Sequence, residues 1–235
     1  MELTPLAFER RDVLRAAGAL GIGSLLGSAL HAAPSSPLPP IWQAGTCTLT
    51  PSSITGPFWK NLALLRRDIT EGHAGVPLDI FLKVVSGATC APILGAVVDL
   101  WHVSPSGRYS GFASQGTAGQ TFLRGIQITP ANGIAHFRTV FPGWYAGRAT
   151  HLHVKINPTQ TTELTTQLYF DPAVTSSVYG LQPYRPRGQN PTMNAADSFF
   201  LPQTVLPARE LKLAGMLLPF PGARRVVTGM TIVID

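Results

Sequence analysis

Charged residues are scarce in this 235-residue sequence, at 13% of the chain, about half the share of an average soluble protein. Twelve acidic residues stand against 18 Lys and Arg, which gives a formal net charge of +6 at pH 7. The basic residues are scattered, and no run of Lys and Arg exceeds two residues, which argues against a nucleic-acid-binding protein. The charge balance therefore predicts a mildly basic surface, with only a diffuse attraction for anions.

Cysteine is nearly absent, since Cys47 and Cys90 are the only two. Two cysteines exclude a zinc-cluster module and a disulfide-dense miniprotein. Helical periodicity is also scarce after residue 34, whereas Gly (23) and Pro (21) are abundant and form no repeat. This turn-rich composition disfavours a helical bundle or a coiled coil, and the 45% apolar share argues against disorder.

The N-terminal segment has the pattern of an export signal. The pair Arg10 and Arg11 precedes an apolar run over residues 16–30, and small residues before Pro34 close it. Such a run is too short to span a bilayer comfortably, and its flanks are typical of a secretory signal. The arginine pair indicates the bacterial twin-arginine route. We expect residues 1–33 to be the signal and residues 34–46 a Pro- and Ser-rich leader; an uncleaved N-terminal anchor is the alternative.

The mature protein is then expected to be periplasmic or extracellular, with no membrane segment of its own. In an oxidising compartment Cys47 and Cys90 can pair, which would stabilise the fold by about 4 kcal/mol in the chain-entropy model.

The export prediction is tested by sequencing the N-terminus of the mature protein. We expect it to begin near residue 34, because the small residues before Pro34 are the cleavage signal. A mature protein that still begins at Met1 would contradict the prediction.

The sequence of residues 47–235 predicts one all-β domain, a β-sandwich with long loops. Short apolar runs, separated by turn signals such as Asn132-Gly133 and Pro142-Gly143, predict strands at 76–85, 96–103, 122–128, 134–140, 150–156, 167–170 and 225–234. Strands at spacings of about ten residues indicate a sandwich or a barrel. We expect the region 158–224 to consist of long loops, with at most a short helix near residues 208–213.

A His-x-His pair lies in one of these strands. Residues i and i+2 of a strand share a face, so His151 and His153 project side by side and form half of a metal site. The pair alone is also compatible with two polar residues on a solvated face. Two tyrosines lie nearby in the expected fold: Tyr145 across a Pro-Gly turn, and Tyr109 after a buried strand.

The donor set narrows the choice of metal. A His/His/carboxylate triad, the usual Fe(II) arrangement, lacks a clear carboxylate, since Asp99 and Asp171 are the only candidates. Two tyrosinates and two histidines suit a hard trivalent ion instead, because a strong Lewis acid removes the phenolic proton.

These segments resemble the intradiol ring-cleavage dioxygenases, the family of protocatechuate 3,4-dioxygenase and catechol 1,2-dioxygenase. The matching stretches arrive in family order over residues 55–170: 55–59, 95–102, Gly107-Arg108-Tyr109-Ser110, 122–127, Pro142-Gly143-Trp144-Tyr145 within 137–145, Arg148-Ala149-Thr150-His151-Leu152-His153, and 166–170. Each stretch alone is weak, but the joint match is specific. Two differences are evident: the segment between Tyr145 and Arg148 is short, and the N-terminal helical region of catechol dioxygenases is missing.

The resemblance implies a ligand set and a reaction. Tyr109, Tyr145, His151 and His153 would bind Fe(III), Arg148 would match the family's active-site arginine, and Gln167 a glutamine close to the iron. The enzyme would cleave a catechol-type ring between its two hydroxylated carbons with O2, giving a muconate-type diacid. Its partners would be a small aromatic diol and O2. Family members form dimers and larger assemblies, so the resemblance leaves a homo-oligomer open.

The resemblance also implies roles for single residues. Tyr145 would accept a substrate proton, and Arg148 would stabilise negative charge on the substrate, the alternative for Arg148 being a structural ion pair. Tyr169 is expected to be a packed strand residue, and His102 and His136 are expected not to be ligands.

Two alternatives stay open. A transthyretin-like β-sandwich could be a non-catalytic binding module, which would bind no iron. A zinc hydrolase could use His151 and His153, but it would need a third ligand and a base. Metal analysis separates the three: iron, none or zinc. The identity of the aromatic substrate is not specified by the sequence.

Overall fold

The computed structural model describes residues 47–157, 164–207, 209–212 and 224–235. The predicted signal (1–33) and leader (34–46) lie outside the described residues. Within the described part of the chain, no helix is both long enough and apolar enough to span a membrane.

Nine strands and one short α-helix make up the regular structure of the described residues. In chain order these are β1 (Pro77–Ser86), β2 (Val97–Trp101), β3 (Arg124–Ile128), β4 (Ile134–Val140), β5 (His151–Asn157), β6 (Leu164–Phe170), α1 (Pro172–Tyr179), β7 (Val205–Leu206), β8 (Arg209–Lys212) and β9 (Arg224–Ile234). Single 3₁₀ turns lie in the connections, at Ala113–Gln115, Arg185–Arg187, Asn194–Ala196 and Pro202–Thr204.

The strands form two sheets that share one core. The first sheet has the order β4-β1-β9-β8, and the second has the order β3-β2-β5-β6-β7. Alternate residues of both sheets, such as Ile80 and Leu82 in β1 and Leu152 and Val154 in β5, are fully buried in one apolar cluster. This period-2 burial is what two sheets packed face to face require. The predicted all-β sandwich is confirmed.

The prediction for the region 158–224 was wrong at two places. Residues 209–212 form strand β8, not a helix, because they pair antiparallel with β9, with Arg209 opposite Val227. An α-helix, α1, lies where only loop was expected. Asp171 caps its N-terminus by accepting from the amide of Ala173, and Val178 anchors its last turn in the core.

The outer face of the second sheet is covered rather than solvated. We call residues 47–60 the N-terminal strap. Its backbone is held to the sandwich at several points: Thr50 N donates to Val233 O (3.0 Å) and Ser53 N to Thr165 O (2.8 Å). Farther along, Phe58 stacks on the ring of Tyr109 at 4.5 Å between centroids. The strap therefore excludes water from side chains that would otherwise face solvent.

A disulfide joins the start of the strap to the body of the domain. Cys47 and Cys90 are bonded, with Cα atoms 5.6 Å apart and 43 residues apart in sequence. Cys90 lies just after β1, so the bond ties the start of the strap to the connection that follows this strand.

Removing this disulfide is expected to destabilise the domain. Closing a 43-residue loop restricts the unfolded chain by about 4 kcal/mol in the chain-entropy model. The Cys47→Ser/Cys90→Ser variant should therefore unfold in urea with a free energy lower by roughly that amount. The matched control is Ser53→Ala in the same strap, whose backbone bonds are retained. Equal stability of the double variant and the wild type would contradict the structural role of the disulfide.

Candidate metal centre

The structure brings the four predicted ligand side chains together. His151 Nε2 and His153 Nε2 lie 3.1 Å apart on the outer face of β5. Tyr109 Oη, from the connection between β2 and β3, lies 3.0 Å from His153 Nε2. The ring of Tyr145, from the connection between β4 and β5, lies 5.8 Å from the rings of both Tyr109 and His151.

The β-strand pleat explains the placement of the two histidines. Leu152 and Val154 point into the sandwich core, so His151 and His153 point to the opposite face. Both imidazoles are nevertheless buried, with 3% and 2% of their surface exposed. The alternative of two polar residues on a solvated face is therefore wrong.

A tight turn sets the position of Tyr109 relative to Tyr145. Gly107 has φ +81°, and a Cβ there would lie 2.2 Å from the carbonyl oxygen of Trp144. Only glycine allows this turn to approach the chain that carries Tyr145 so closely. The hydroxyl of Thr117 donates to the carbonyl of Tyr109 at 2.5 Å, which stabilises the turn.

The hydrogen bond of the His151 side chain leaves its Nε2 atom available as a ligand. His151 Nδ1–H donates to the carbonyl of Ala149 at 2.7 Å, which puts the lone pair of the neutral ring on Nε2. Burial lowers the pKa of His151 to about 4, and burial and the neighbouring His151 lower the pKa of His153 well below its ordinary value. Both rings are therefore neutral near pH 7, as metal ligation requires.

The spacing of the donor atoms fits a bound cation. His153 Nδ1 is buried with no hydrogen-bond partner in the described structure. If Nδ1 carries the proton, the lone pairs of both Nε2 atoms face each other, which is unfavourable without a positive charge between them. His151 Nε2 and Tyr109 Oη lie 3.1 and 3.0 Å from His153 Nε2, so one small cation among them could contact all three atoms.

The two phenols of the site would need a bound cation to lose their protons at neutral pH. Burial raises the pKa of Tyr109 well above its ordinary value, and burial raises the pKa of Tyr145 although Arg148 counteracts it. Both phenols are therefore protonated at neutral pH unless a strong Lewis acid binds them. Among the described residues, no group of three or more His, Cys, Asp or Glu is arranged to hold a metal. The donors that lie beside the histidines are tyrosines.

Arg148 and Gln167 both lie at this site. Arg148 Nη1 donates to Tyr145 Oη at 3.3 Å, and its Nη2 donates to Tyr169 Oη at 3.2 Å and to the amide oxygen of Gln167. Gln167 Nε2 in turn donates to the carbonyl of Ile54 in the strap at 3.0 Å. The amide of Gln167 therefore connects the arginine to the segment that covers the site.

Two contacts at the site have partners that the sequence did not predict. Asp197 accepts from Arg148 Nε at 2.9 Å, so the arginine makes both an ion pair and contacts to the predicted ligand shell. No sequence signal relates these residues, because 49 positions separate them. Tyr169 is fully buried on β6, as expected of a packed strand residue, but its hydroxyl also donates to Gln167 at 3.1 Å.

The remaining candidates are engaged elsewhere. Asp171 caps α1. His102 bonds the carbonyl of Val103 and the hydroxyl of Thr139, both at 2.8 Å. His136 Nε2 lies within hydrogen-bond distance, 2.8 Å, of a carboxylate oxygen of Asp79. These three side chains contribute nothing to the cluster, as expected for His102 and His136.

Asp99 is also bound elsewhere, two residue pairs along the sheet from His153. It lies opposite Lys155 of β5, and its carboxylate accepts from Trp59 Nε1 at 2.9 Å. Burial raises the pKa of Asp99 to about 6, although Trp59, Arg124 and Lys155 all act to lower it. The fold therefore favours the protonated acid over the carboxylate.

This shift predicts a pH-dependent effect of Asp99→Asn. In the wild type the cost of the buried carboxylate is absent well below pH 3.8, where Asp99 is protonated in both the folded and the unfolded state, and it grows as the pH rises to about 6. The variant has no such cost, so its stability relative to the wild type should rise over that range by about 2–3 kcal/mol. Urea unfolding at pH 4 to 8 measures the difference. Asp171→Asn, at an exposed cap, is the matched control, and a pH-independent difference for Asp99→Asn would contradict the prediction.

The chain is similar to known proteins both in sequence and in structure. The sequence pattern of the family described as Dioxygenase matches residues 54–178, more than half of the chain. A chlorocatechol 1,2-dioxygenase of Rhodococcus opacus is 30% identical over 149 residues, which are 52% of this chain and 56% of that protein. A catechol 1,2-dioxygenase of Acinetobacter lwoffii is 30% identical over 50% of this chain and 45% of its own. The chain thus spans about half the length of these curated relatives.

Solved structures match over more of the chain. An intradiol ring-cleavage dioxygenase from Tetranychus urticae is 27% identical, covers 80% of this chain and 95% of its own, and has a TM-score of 0.68. The dioxygenase domain of a carbohydrate-binding fusion protein from Streptomyces sp. SirexAA-E is 29% identical, covers 80% and 99%, and has a TM-score of 0.58. With the family match spanning the strands and loops that build the centre, the chain belongs to the intradiol ring-cleavage dioxygenases.

Proposed function

We propose that this protein is a non-haem Fe(III) dioxygenase that cleaves a catechol-type ring between its two hydroxylated carbons with O2, giving a muconate-type diacid. The observation that carries the proposal is the convergence of two buried imidazoles and two phenols. His153 Nε2 lies 3.0 Å from Tyr109 Oη and 3.1 Å from His151 Nε2. The names of the curated relatives, catechol and chlorocatechol 1,2-dioxygenases, support the substrate class.

The donor set suits a ferric ion held by Tyr109, Tyr145, His151 and His153. Phenolates are hard anionic donors, and two of them offset much of the ion's charge in a buried site. When bound, Fe(III) supplies the Lewis acidity that favours the deprotonated forms of the phenols and of the catechol, and an electron acceptor for the catecholate.

Tyr145 is the tyrosine placed to accept a substrate proton. Tyr109 is 1% exposed and is fixed between Phe58 and the turn at Gly107. Tyr145 is half-buried instead, and it precedes the exposed residues Ala146 and Gly147. Tyr145, as the phenolate that bound Fe(III) would stabilise, could therefore move and accept a catechol proton, becoming a neutral phenol; this would supply general base catalysis without a carboxylate.

Arg148 supplies positive charge at the same place. Its Nη1 lies 3.3 Å from Tyr145 Oη, so a substrate oxygen that took the place of the phenol would meet the guanidinium. A buried cation stabilises negative charge that develops on the substrate during ring cleavage, where water screens it little.

The walls of the site suit a flat aromatic ring. Trp101, Val103 and Tyr109 form a buried cluster against which Phe58 and Tyr145 pack. Trp101 stacks on His153 at 4.9 Å between ring centroids. Aromatic walls bind a planar diol through its faces, whereas the polar groups of the site reach its oxygens.

We also propose that the mature protein is exported. The twin-arginine pair Arg10 and Arg11 supports this, as does the Cys47–Cys90 disulfide, because such bonds persist mainly outside the reducing cytoplasm.

Turnover of catechol by the iron-loaded protein tests the proposed reaction. We expect one O2 consumed per catechol and a muconate-type product. Tyr145→Phe cannot accept the proton, so its kcat should fall by about 10²- to 10⁴-fold. The matched control is Tyr184→Phe, a buried tyrosine whose hydroxyl bonds the backbone of Val76 and Phe141.

Two outcomes would contradict this account separately. Absence of catechol-dependent O2 uptake by the iron-loaded wild type would overturn the reaction and favour a non-catalytic transthyretin-like binding module. Full activity of Tyr145→Phe would overturn the role of that residue as proton acceptor while the reaction stood.

A further inference from the structure

A buried carboxylate lies directly behind the arginine of the site. Asp197 belongs to the connection between α1 and β7, and its side chain is 0% exposed. Both of its oxygens lie near Arg148 Nε, at 2.9 and 3.1 Å. It also accepts from the backbone amides of Ala149 at 2.8 Å and Phe199 at 2.9 Å. A charge so deeply buried is stable only when it is paired and hydrogen-bonded in this way.

The ion pair with Asp197 fixes the orientation of the Arg148 guanidinium. With Nε held by Asp197, the guanidinium presents Nη1 to Tyr145 and Nη2 to Gln167 and Tyr169. Phe199, two residues after Asp197, places its ring 4.8 Å from the guanidinium carbon. A free arginine side chain samples many rotamers, and this arrangement removes most of that freedom before a substrate arrives.

The same connection has tethers that do not touch the arginine side chain. Asn194 Nδ2 donates to the carbonyl of Phe170 at 2.9 Å, and Asn190 Nδ2 donates to the backbone carbonyl of Arg148 at 3.0 Å. Asn194 therefore holds this part of the chain to β6 but leaves the guanidinium alone. Asp197 differs from it in contacting Arg148 Nε directly.

We propose that Asp197 is a positioning residue, which acts on the reaction only through Arg148 by holding its guanidinium against Tyr145 and Gln167. The proposal deepens the proposed function and rests on it for its kinetic consequence. It assigns a role in the active site to a connection that carries none of the predicted ligands.

A double-mutant cycle of Asp197→Asn and Arg148→Ala tests the proposal by steady-state kinetics with catechol. Asparagine keeps the size and one acceptor oxygen but loses the charge. Displacement of the guanidinium by about 1 Å should lower kcat by about 10- to 100-fold. KM should change less than threefold, because the stabilised charge develops during the reaction. In the Arg148→Ala background, Asp197→Asn should have no further effect on kcat.

The control variant is Asn194→Ala. It should lower the melting temperature about as much as Asp197→Asn does, but it should change kcat less than twofold. Equal losses of kcat in Asp197→Asn and Asn194→Ala would show a merely structural tether and overturn the proposal. Multiplicative losses in the double-mutant cycle would also overturn it, because Asp197 would then act by a route other than Arg148.

A second measurement does not depend on turnover. In ¹⁵N NMR spectra of the metal-free protein, the Nε–H of Arg148 should exchange slowly with solvent, and Arg148→Lys assigns its signal. We expect that protection to be lost in Asp197→Asn and kept in Asn194→Ala. Retained protection in Asp197→Asn would overturn the proposal. If the wild type proved unable to cleave catechol, this measurement would still decide whether Asp197 positions the arginine.

Discussion

The placement of two neutral imidazoles side by side, 3.1 Å apart on a covered face of a sheet, is the constraint on which the rest of the site depends. A regular β-strand places the two rings side by side without any backbone distortion, because residues two apart share a face. Keeping both rings neutral and buried requires the other elements. The carbonyl of Ala149 fixes the tautomer of His151, and burial lowers the pKa of both rings.

The covering elements come from distant parts of the chain. The N-terminal strap covers the outer face, and its Phe58 stacks on Tyr109. The turn at Gly107 packs against the backbone of Trp144, so the two tyrosine-bearing connections hold each other in place. The Cys47–Cys90 bond anchors the strap at its far end. The same contacts therefore exclude water and place the ligands. The low local dielectric strengthens the electrostatic interactions that the proposed reaction needs.

Patterns local in sequence were sufficient to predict much of this structure. Strand β4 lies at 134–140 as the apolar runs indicated, and the shared face of His151 and His153 follows from the pleat alone. Family-like motifs over residues 55–170 predicted that Tyr109, Tyr145, Arg148 and Gln167 would join them. Each of these signals lies in a short segment whose residues act together.

Several of the features that were missed depend on contacts between remote segments. Asp197 is 49 positions from Arg148, and only the folded chain brings them together. Strand β8 exists because β9 offers it an edge, although its four residues have no strand pattern of their own. Asp99, a candidate ligand by residue type, is bound by Trp59 from the strap instead. Burial and partner choice are properties of the whole fold, and residue type and spacing do not specify them.

The central claim is that two tyrosines and two histidines hold a ferric ion open to a catechol. Its most direct test is the visible absorption spectrum of the purified iron-loaded protein, with iron content measured on the same sample, before and after catechol is added. The account predicts a wine-red protein with one iron per chain, whose tyrosinate-to-iron charge-transfer band shifts when catechol binds. A protein that stays colourless after iron is supplied, or that binds zinc in its place, would contradict it.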